Sequence, residues 1–402
     1  MAVHLQVPEY LLPIKGIRLA AINAGIRYKN RDDMLLIEAA EGSSVAAVFT
    51  RNAFCAAPVT VARQHLAQAP IRYLLVNAGN ANAGTGSQGL IAATNTCGAL
   101  ADVAGVNPEQ VLPFSTGVIG VQLPVDKVTA ALPELFSLLT EDNWMRASRA
   151  IMTTDTLPKG ISKQVDIGGN TVTITGIAKG AGMIHPNMAT MLSYIATDAQ
   201  VEASVLQQTL TNVVDDTFNC ITIDGDTSTN DALVLIATGA SGVAIGKAEL
   251  AAFQAALKEV CMFLAQAIVR DGEGATKFID IQVEEARSRE EAHIVANTVA
   301  LSPLVKTALF ASDPNWGRIL AAAGRSPIEA LDVSRVSIYL GDTLLVSGGQ
   351  PSPEYTEAQG QAETKKDEIK IRIILGRGTA MANVWTCDFS FDYVKINAEY
   401  RS

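Results

Sequence analysis

Two segments in the second half of the chain repeat apolar residues at the 3,4 spacing of a helix buried along one side. In VEASVLQQTLTNVVDDTFN the residues Leu206, Leu210, Val213, Val214 and Phe218 share a face. In KAELAAFQAALKEVCMFLAQAIV the same holds for Leu250, Phe253, Leu257, Val260, Leu264 and Ala267. Around them the sequence breaks into short runs of low charge that suit strands: IRLAAINAGI, LLIEAA, SVAAVFT and IRYLLVN between residues 16 and 77, VTITGIAKG at 172–180, and FIDIQV from Phe278 to Val283. EIKIRIIL alternates Ile369, Ile371, Ile373 and Leu375 with outward positions. PVDKVTAALPELFSLL is a further amphipathic helix, and NAGNANAGTG at 77–86 reads as a loop feeding a helix of small residues. PSPEYTEAQGQAETKKDE reads as a surface excursion. One-sided helices need sheets to cover, so the fold is α/β, with no internal repeat.

At 402 residues and 48% hydrophobic content the chain can bury a large core, and its length favours two comparable halves. A formal charge of -10, with no Lys/Arg block, argues against nucleic acid or anionic lipid as partner. The longest stretch free of charge, Tyr73 to Ala101, is filled with Asn, Gly, Ser and Thr, so no membrane span is expected. Five cysteines without a CxxC read as free thiols in a reducing, cytoplasmic setting, and four histidines without HExxH give no reason to expect a metal.

The chemistry concentrates in KGAGMIHPNMATML, Lys179 to Leu192. Gly180, Gly182 and Pro186 alone describe a turn. Thr190, however, is a hydroxyl residue at the start of a strand-like run, preceded by the small Ala189. Cleavage of the Ala189–Thr190 bond gives Thr190 a free α-amine beside its own hydroxyl, a known way to activate a weak nucleophile.

Here the sequence resembles the ornithine acetyltransferases, also called glutamate N-acetyltransferases, of the cyclic arginine pathway. NAFCAAPV, LVNAGNANAGTG, STGVIG, TTDT, AKGAGMIHPNMATMLS, DGDTSTND, DGEGATKF, DPNWGRI and INAEYRS carry the likeness over nearly the whole chain. It implies an Ntn-like layered α-β-β-α sandwich made by a precursor that cuts itself before Thr190. Residues 1–189 and 190–402 would then form α and β chains that fold together as an α2β2 heterotetramer. It further implies Thr190 as nucleophile, Thr116 and Gly117 as the oxyanion hole, and substrate contacts from Thr153, Lys179, Thr190, Glu273, Asn397 and Ser402. Thr154 competes with Thr153 for its role.

The implied reaction moves acetyl from N2-acetyl-L-ornithine to L-glutamate, giving L-ornithine and N-acetyl-L-glutamate, with no cofactor. Acetyl-CoA is a second acetyl donor in some relatives. An amide carbonyl is unreactive, so its attack by a hydroxyl needs a base and charge stabilisation, which Thr190 and the Thr116–Gly117 pair supply. Lys179 suits a substrate carboxylate, Glu273 the ornithine ammonium, and Asn397 and Ser402 polar substrate atoms. The rival expectations are a transferase without acetyl-CoA activity, a self-cleaving amidase or aminopeptidase, and an uncleaved scaffold.

The remaining motifs read as structural. In DGDTSTND, Asp224, Asp226, Ser228 and Asn230 alternate like the first positions of a calcium loop, but Thr229 stands where Gly is required and the twelfth-position acid is missing. It is expected near the catalytic centre, its Asp side chains capping backbone. NAGNANAGTG lacks the spacing of a phosphate or dinucleotide loop. His185 is assigned to loop conformation, the Trp of DPNWGR to anchoring, and Cys387 to the core.

Overall fold

The computed structural model describes residues 2–185 and 191–399. Among the described residues fifteen strands form three sheets. The first orders β1 (Ile17–Ile22), β2 (Met34–Ala39), β4 (Tyr73–Asn80) and β5 (Val111–Val118) as β1-β2-β4-β5. The second orders β3 (Ser44–Phe49), β9 (Ala232–Ala237), β8 (Leu192–Thr197), β7 (Asn170–Lys179) and β6 (Lys159–Ile167) as β3-β9-β8-β7-β6.

These two sheets pack face to face. Leu19, Leu35, Ile37, Leu74 and Phe114 of the first meet Phe49, Ile177, Tyr194 and Val234 of the second. The outer face of the first sheet, through Ala20, Leu36 and Leu75, is covered by Leu100, Val128 and Leu132 from the helices Gly86–Ala104 and Val125–Ser137. On the second sheet Val48, Ile174, Ile195 and Leu235 lie under Leu206, Leu210 and Val213 of helix Ala203–Asp216 and under Phe253, Leu257, Val260 and Leu264 of helix Leu250–Arg270. The result is the four-layer α-β-β-α sandwich. Helix Leu250–Arg270 is long and apolar enough to cross a membrane, but its apolar face is spent on this core.

The second sheet draws β3, β6 and β7 from before position 190 and β8 and β9 from after it. β8 pairs with β7 antiparallel and with β9 in parallel. No boundary between layers therefore falls at the sequence midpoint.

A third sheet stands beside the sandwich with its own core. It orders β13 (Gln350–Pro351), β12 (Thr343–Ser347), β11 (Ser337–Leu340), β14 (Glu368–Ile374), β10 (Phe278–Ala286) and β15 (Ala380–Cys387) as β13-β12-β11-β14-β10-β15. Ile279, Ile281, Ile371 and Ile373 pack on Val295 and Val299 of helix Arg289–Ala300 and on Ile319 of helix Trp316–Gly324. Trp385 and Cys387 of β15 reach back into the sandwich core.

Two local expectations change. Asn77–Asn80 of the NAGN run belong to β4 rather than to a loop, because the strand is central and pairs with β2 and β5. Ser115, Thr116 and Gly117 lie near the end of β5 beside it. The polar stretch after Pro351 contains helix Glu357–Thr364, opened by a reciprocal capping box between Thr356 and Gln359 and holding Thr364 fully buried. Trp316 opens its helix, whose Asn315 cap accepts the N–H of Arg318 at 3.1 Å. Cys387 is buried, and burial pushes its thiol up to about 11.

Candidate active site

A cleft of about 260 Å³ opens where the C-terminal ends of β5 and β7 meet the loops after position 224 and position 271. Thr116, Gly117, Thr153, Lys179, Glu273 and Asn397 all line it, although they are scattered over 282 positions of sequence from 116 to 397. Thr154 lines it as well, so both candidates at that point face the cleft. Ala189, Thr190 and Ser402 lie outside the described residues. Met191, the residue after Thr190, accepts the N–H of Ala232 on its carbonyl at 2.9 Å.

Gly117 has φ +138°, and a Cβ there would sit 2.2 Å from the Gly79 carbonyl carbon and 2.5 Å from the Asn80 nitrogen. Only glycine fits. The β4–β5 register slips at the same place, where Asn80 faces both Thr116 and Val118. Such an irregularity turns backbone groups out of the ladder. Beside it the Thr116 hydroxyl oxygen accepts Lys179 Nζ at 3.2 Å, which leaves the hydroxyl proton available to an acceptor in the cleft.

Lys179 ends β7 in the cleft wall. Burial pushes its ammonium below the ordinary lysine value; Asp155, Asp231 and Glu273 oppose that push while nearby Lys159 adds to it. Glu273 comes from the turn after helix Leu250–Arg270, tied down by its N–H to the Ala181 carbonyl at 2.7 Å. Its Oε2 accepts Asn397 Nδ2 at 2.8 Å, linking the C-terminal helix Phe391–Ala398 to the cleft. Gly182 must be small, since a Cβ would meet the Glu273 carboxylate at 2.4 Å. Among the described residues the cleft thus offers one cationic side chain, Lys179, and one anionic side chain, Glu273, around polar hydroxyl and amide groups.

The 224–231 loop contributes more than backbone capping. Asp224 does cap, accepting the N–H groups of Met183 at 2.6 Å and Ile184 at 2.9 Å. Ser228, Thr229 and Asn230 line the cleft. Asn230 Nδ2 donates to the carbonyls of Ala81 at 2.6 Å and Ser115 at 2.9 Å, holding this loop to the ends of β4 and β5, the second of which carries the Thr116–Gly117 pair. Asp231 is buried with Oδ2 unpartnered among the described residues, and burial pushes its carboxyl well above the usual range. His185 has an unpartnered Nδ1 among them, and burial lowers its pKa. Among the described residues no group of three or more His, Cys, Asp or Glu side chains is placed to hold a metal.

Ser228, Thr229 and Asn230 sit in the loop expected near the catalytic centre, but the sequence alone does not mark them as cleft residues. The signal was their density of short polar side chains, which reads equally well as a turn.

The family model for ArgJ matches residues 18–402. The chain belongs to the ArgJ family. It is 60% identical over 395 residues to the arginine biosynthesis bifunctional protein ArgJ of Methylococcus capsulatus, covering 98% of this chain and 97% of that protein. Its identity to the protein of the same name from Pseudomonas fluorescens is 54% over 406 residues, covering all of both. Among solved structures, the arginine biosynthesis bifunctional protein ArgJ of Bacillus halodurans is 40% identical, with a TM-score of 0.51. The match takes in the whole of that chain and 52% of this one.

Proposed function

We propose that this ArgJ-family chain is an acetyltransferase of arginine biosynthesis that moves acetyl from N2-acetyl-L-ornithine to L-glutamate through an ester on Thr190. The observation that carries this reading is the convergence of Thr116, Gly117, Thr153, Lys179, Glu273 and Asn397 on one cleft with opposite charges facing it. An amino acid with an ionic side chain needs such a site. Lys179 receives the substrate α-carboxylate and Glu273 the ornithine side-chain ammonium, with Asn397, Thr153 and Ser402 completing the polar contacts.

The chain cuts itself between Ala189 and Thr190, and the new α-amine takes the proton as the Thr190 hydroxyl oxygen attacks the acetyl carbonyl. Negative charge on the carbonyl oxygen is met by the Thr116 hydroxyl and the Gly117 N–H; one such donor is worth about 3 kcal/mol in the transition state. Because Thr116 accepts from the Lys179 ammonium, its hydroxyl is polarised toward donation. The intermediate collapses with cleavage of the C–N bond, and the amine returns its proton to departing ornithine. Glutamate then attacks the ester through its amino group, forming N-acetyl-L-glutamate and restoring Thr190.

Residues 1–189 and 190–402 remain together as one fold, since the second sheet interleaves strands from both. A solved ArgJ chain matched over its full length by half of this one supports division near the middle. The working form is an α2β2 assembly in the cytoplasm. Relatives named as bifunctional support acetyl-CoA as a second donor to the same threonine.

Incubating the purified protein with acetylornithine, with and without glutamate, tests the reading. Ornithine release that depends on glutamate is expected. Equal release without glutamate would make the protein a hydrolase.

A further inference from the structure

We propose that Lys159 is a positioning residue whose single ammonium, held between Asp155 and Asp271, locks into register the three chain segments that carry Thr153, Lys179 and Glu273. The inference rests on the function proposed above and extends it to residues outside the cleft lining.

Lys159 opens β6 and its side chain is 0% exposed. Its Nζ donates to Asp155 Oδ1 at 2.6 Å, to Asp271 Oδ2 at 2.6 Å and to the Leu157 carbonyl at 3.3 Å. Three donors thus find three acceptors. Each carboxylate passes the constraint outward. Asp155 accepts the N–H of Thr153 on Oδ2 at 3.0 Å and the N–H of Gly180 on Oδ1 at 2.6 Å, fixing the residue after Lys179. Asp271 accepts the N–H groups of Thr156 at 2.9 Å and Leu157 at 3.3 Å, and the Thr156 hydroxyl, while standing two residues before Glu273. Residues 153, 179 and 273 belong to a loop, a strand end and a post-helix turn, and this cluster joins all three.

The burial is too deep for a merely tolerated ion pair, because each carboxylate also spends its second oxygen or lone pairs on backbone. Burial alone would raise the Asp155 carboxyl, yet the charges of Lys159 and Lys179 and the hydrogen bonds from Lys159 and Gly180 hold it below the usual range. Asp155 and Lys159 therefore stay ionised against each other. The cluster shapes the cleft from behind without touching substrate.

The test uses the full-length protein and two variants, Lys159→Met and Asp271→Asn. In hydrogen exchange, segments containing Thr153, Gly180 and Glu273 should all exchange at least tenfold faster in Lys159→Met, while β14 keeps its wild-type rate. Faster exchange confined to residues 155–159, or spread equally through β14, would overturn the proposal. Should Lys159→Met fail to fold, Asp271→Asn decides: it loosens the contacts of Asp271 alone, so exchange rises at Thr156, Leu157 and the Glu273 segment while Gly180, held by Asp155, stays protected. In turnover its KM for acetylornithine should rise about tenfold with KM for glutamate within twofold, a split that a general loss of stability does not give. Equal changes in both KM values, or none, count against it. If the wild type does not turn over acetylornithine, the functional reading fails, while the exchange measurement still judges the positioning role.

Discussion

Lys159 and Lys179 stand at the same end of one hairpin and have opposite electrostatic fates. In the β6–β7 register Lys159 faces Ala178, so Lys179 lies one residue further on and projects from the other face. Lys159 touches two carboxylates at 2.6 Å; their attraction outweighs burial and raises its pKa. Lys179 touches the Thr116 hydroxyl at 3.2 Å, with carboxylates farther away, and burial wins. One lysine is completed by the fold. In the proposed function the other is completed by a substrate carboxylate. Lys306 supplies a third case: fully buried, bonded to the Thr386 hydroxyl at 2.8 Å and the Cys387 carbonyl, it pairs with no carboxylate among the described residues, and its pKa is lowered by burial.

The largest effect is expected from Lys159→Met. It strands two buried carboxylates, and removing one partner of a buried pair costs about 3–5 kcal/mol, so urea unfolding should show a loss of that size. A loss under about 1 kcal/mol would mean that the charges are not buried as a unit. Lys179→Met should instead leave urea stability close to wild type and raise KM for acetylornithine by roughly ten- to a hundredfold, the equivalent of about 1.4–3 kcal/mol of lost charge-assisted hydrogen bonding.

The two sites also separate by pH. The attraction of Lys179 for a carboxylate is present below its pKa and lost as pH rises through it. With Asp155, Lys159, Asp231 and Glu273 facing it and burial dominant, that loss begins at lower pH than for an ordinary lysine at about 10.4. KM should climb on the alkaline side while the unfolding midpoint does not follow. For Asp155 the sign reverses: its folded pKa is depressed, so its contribution to stability is present above the unfolded value of about 3.9 and lost only as pH falls through the lower folded value. Acid unfolding of the Asp155→Asn variant should lose that component. The smallest effect is expected from Lys306→Met, which leaves no carboxylate unpaired and should change stability by no more than about 1–2 kcal/mol.

The helices over Ala203–Asp216 and Leu250–Arg270 were legible because a one-sided core writes a 3,4 pattern into the sequence. Motif likeness located Thr116, Lys179 and Glu273, which the fold then brings to one cleft. Other features leave no local trace. Asn77–Asn80 look like turn residues yet form a central strand, since pairing on both sides overrides propensity. Lys159 and Asp271 are 112 positions apart, and each alone reads as a solvated surface charge. The third sheet was visible only as the isolated alternations of β10 and β14, whose parallel pairing depends on the intervening chain returning to the same edge.

The central claim, acetyl carried on Thr190, is tested most directly by denaturing mass analysis of the purified protein before and after brief exposure to acetylornithine. Two fragments, residues 1–189 and 190–402, are predicted, with only the second gaining one acetyl group, localised to Thr190 and discharged by glutamate. An intact 402-residue chain that transfers acetyl without carrying it would contradict the account.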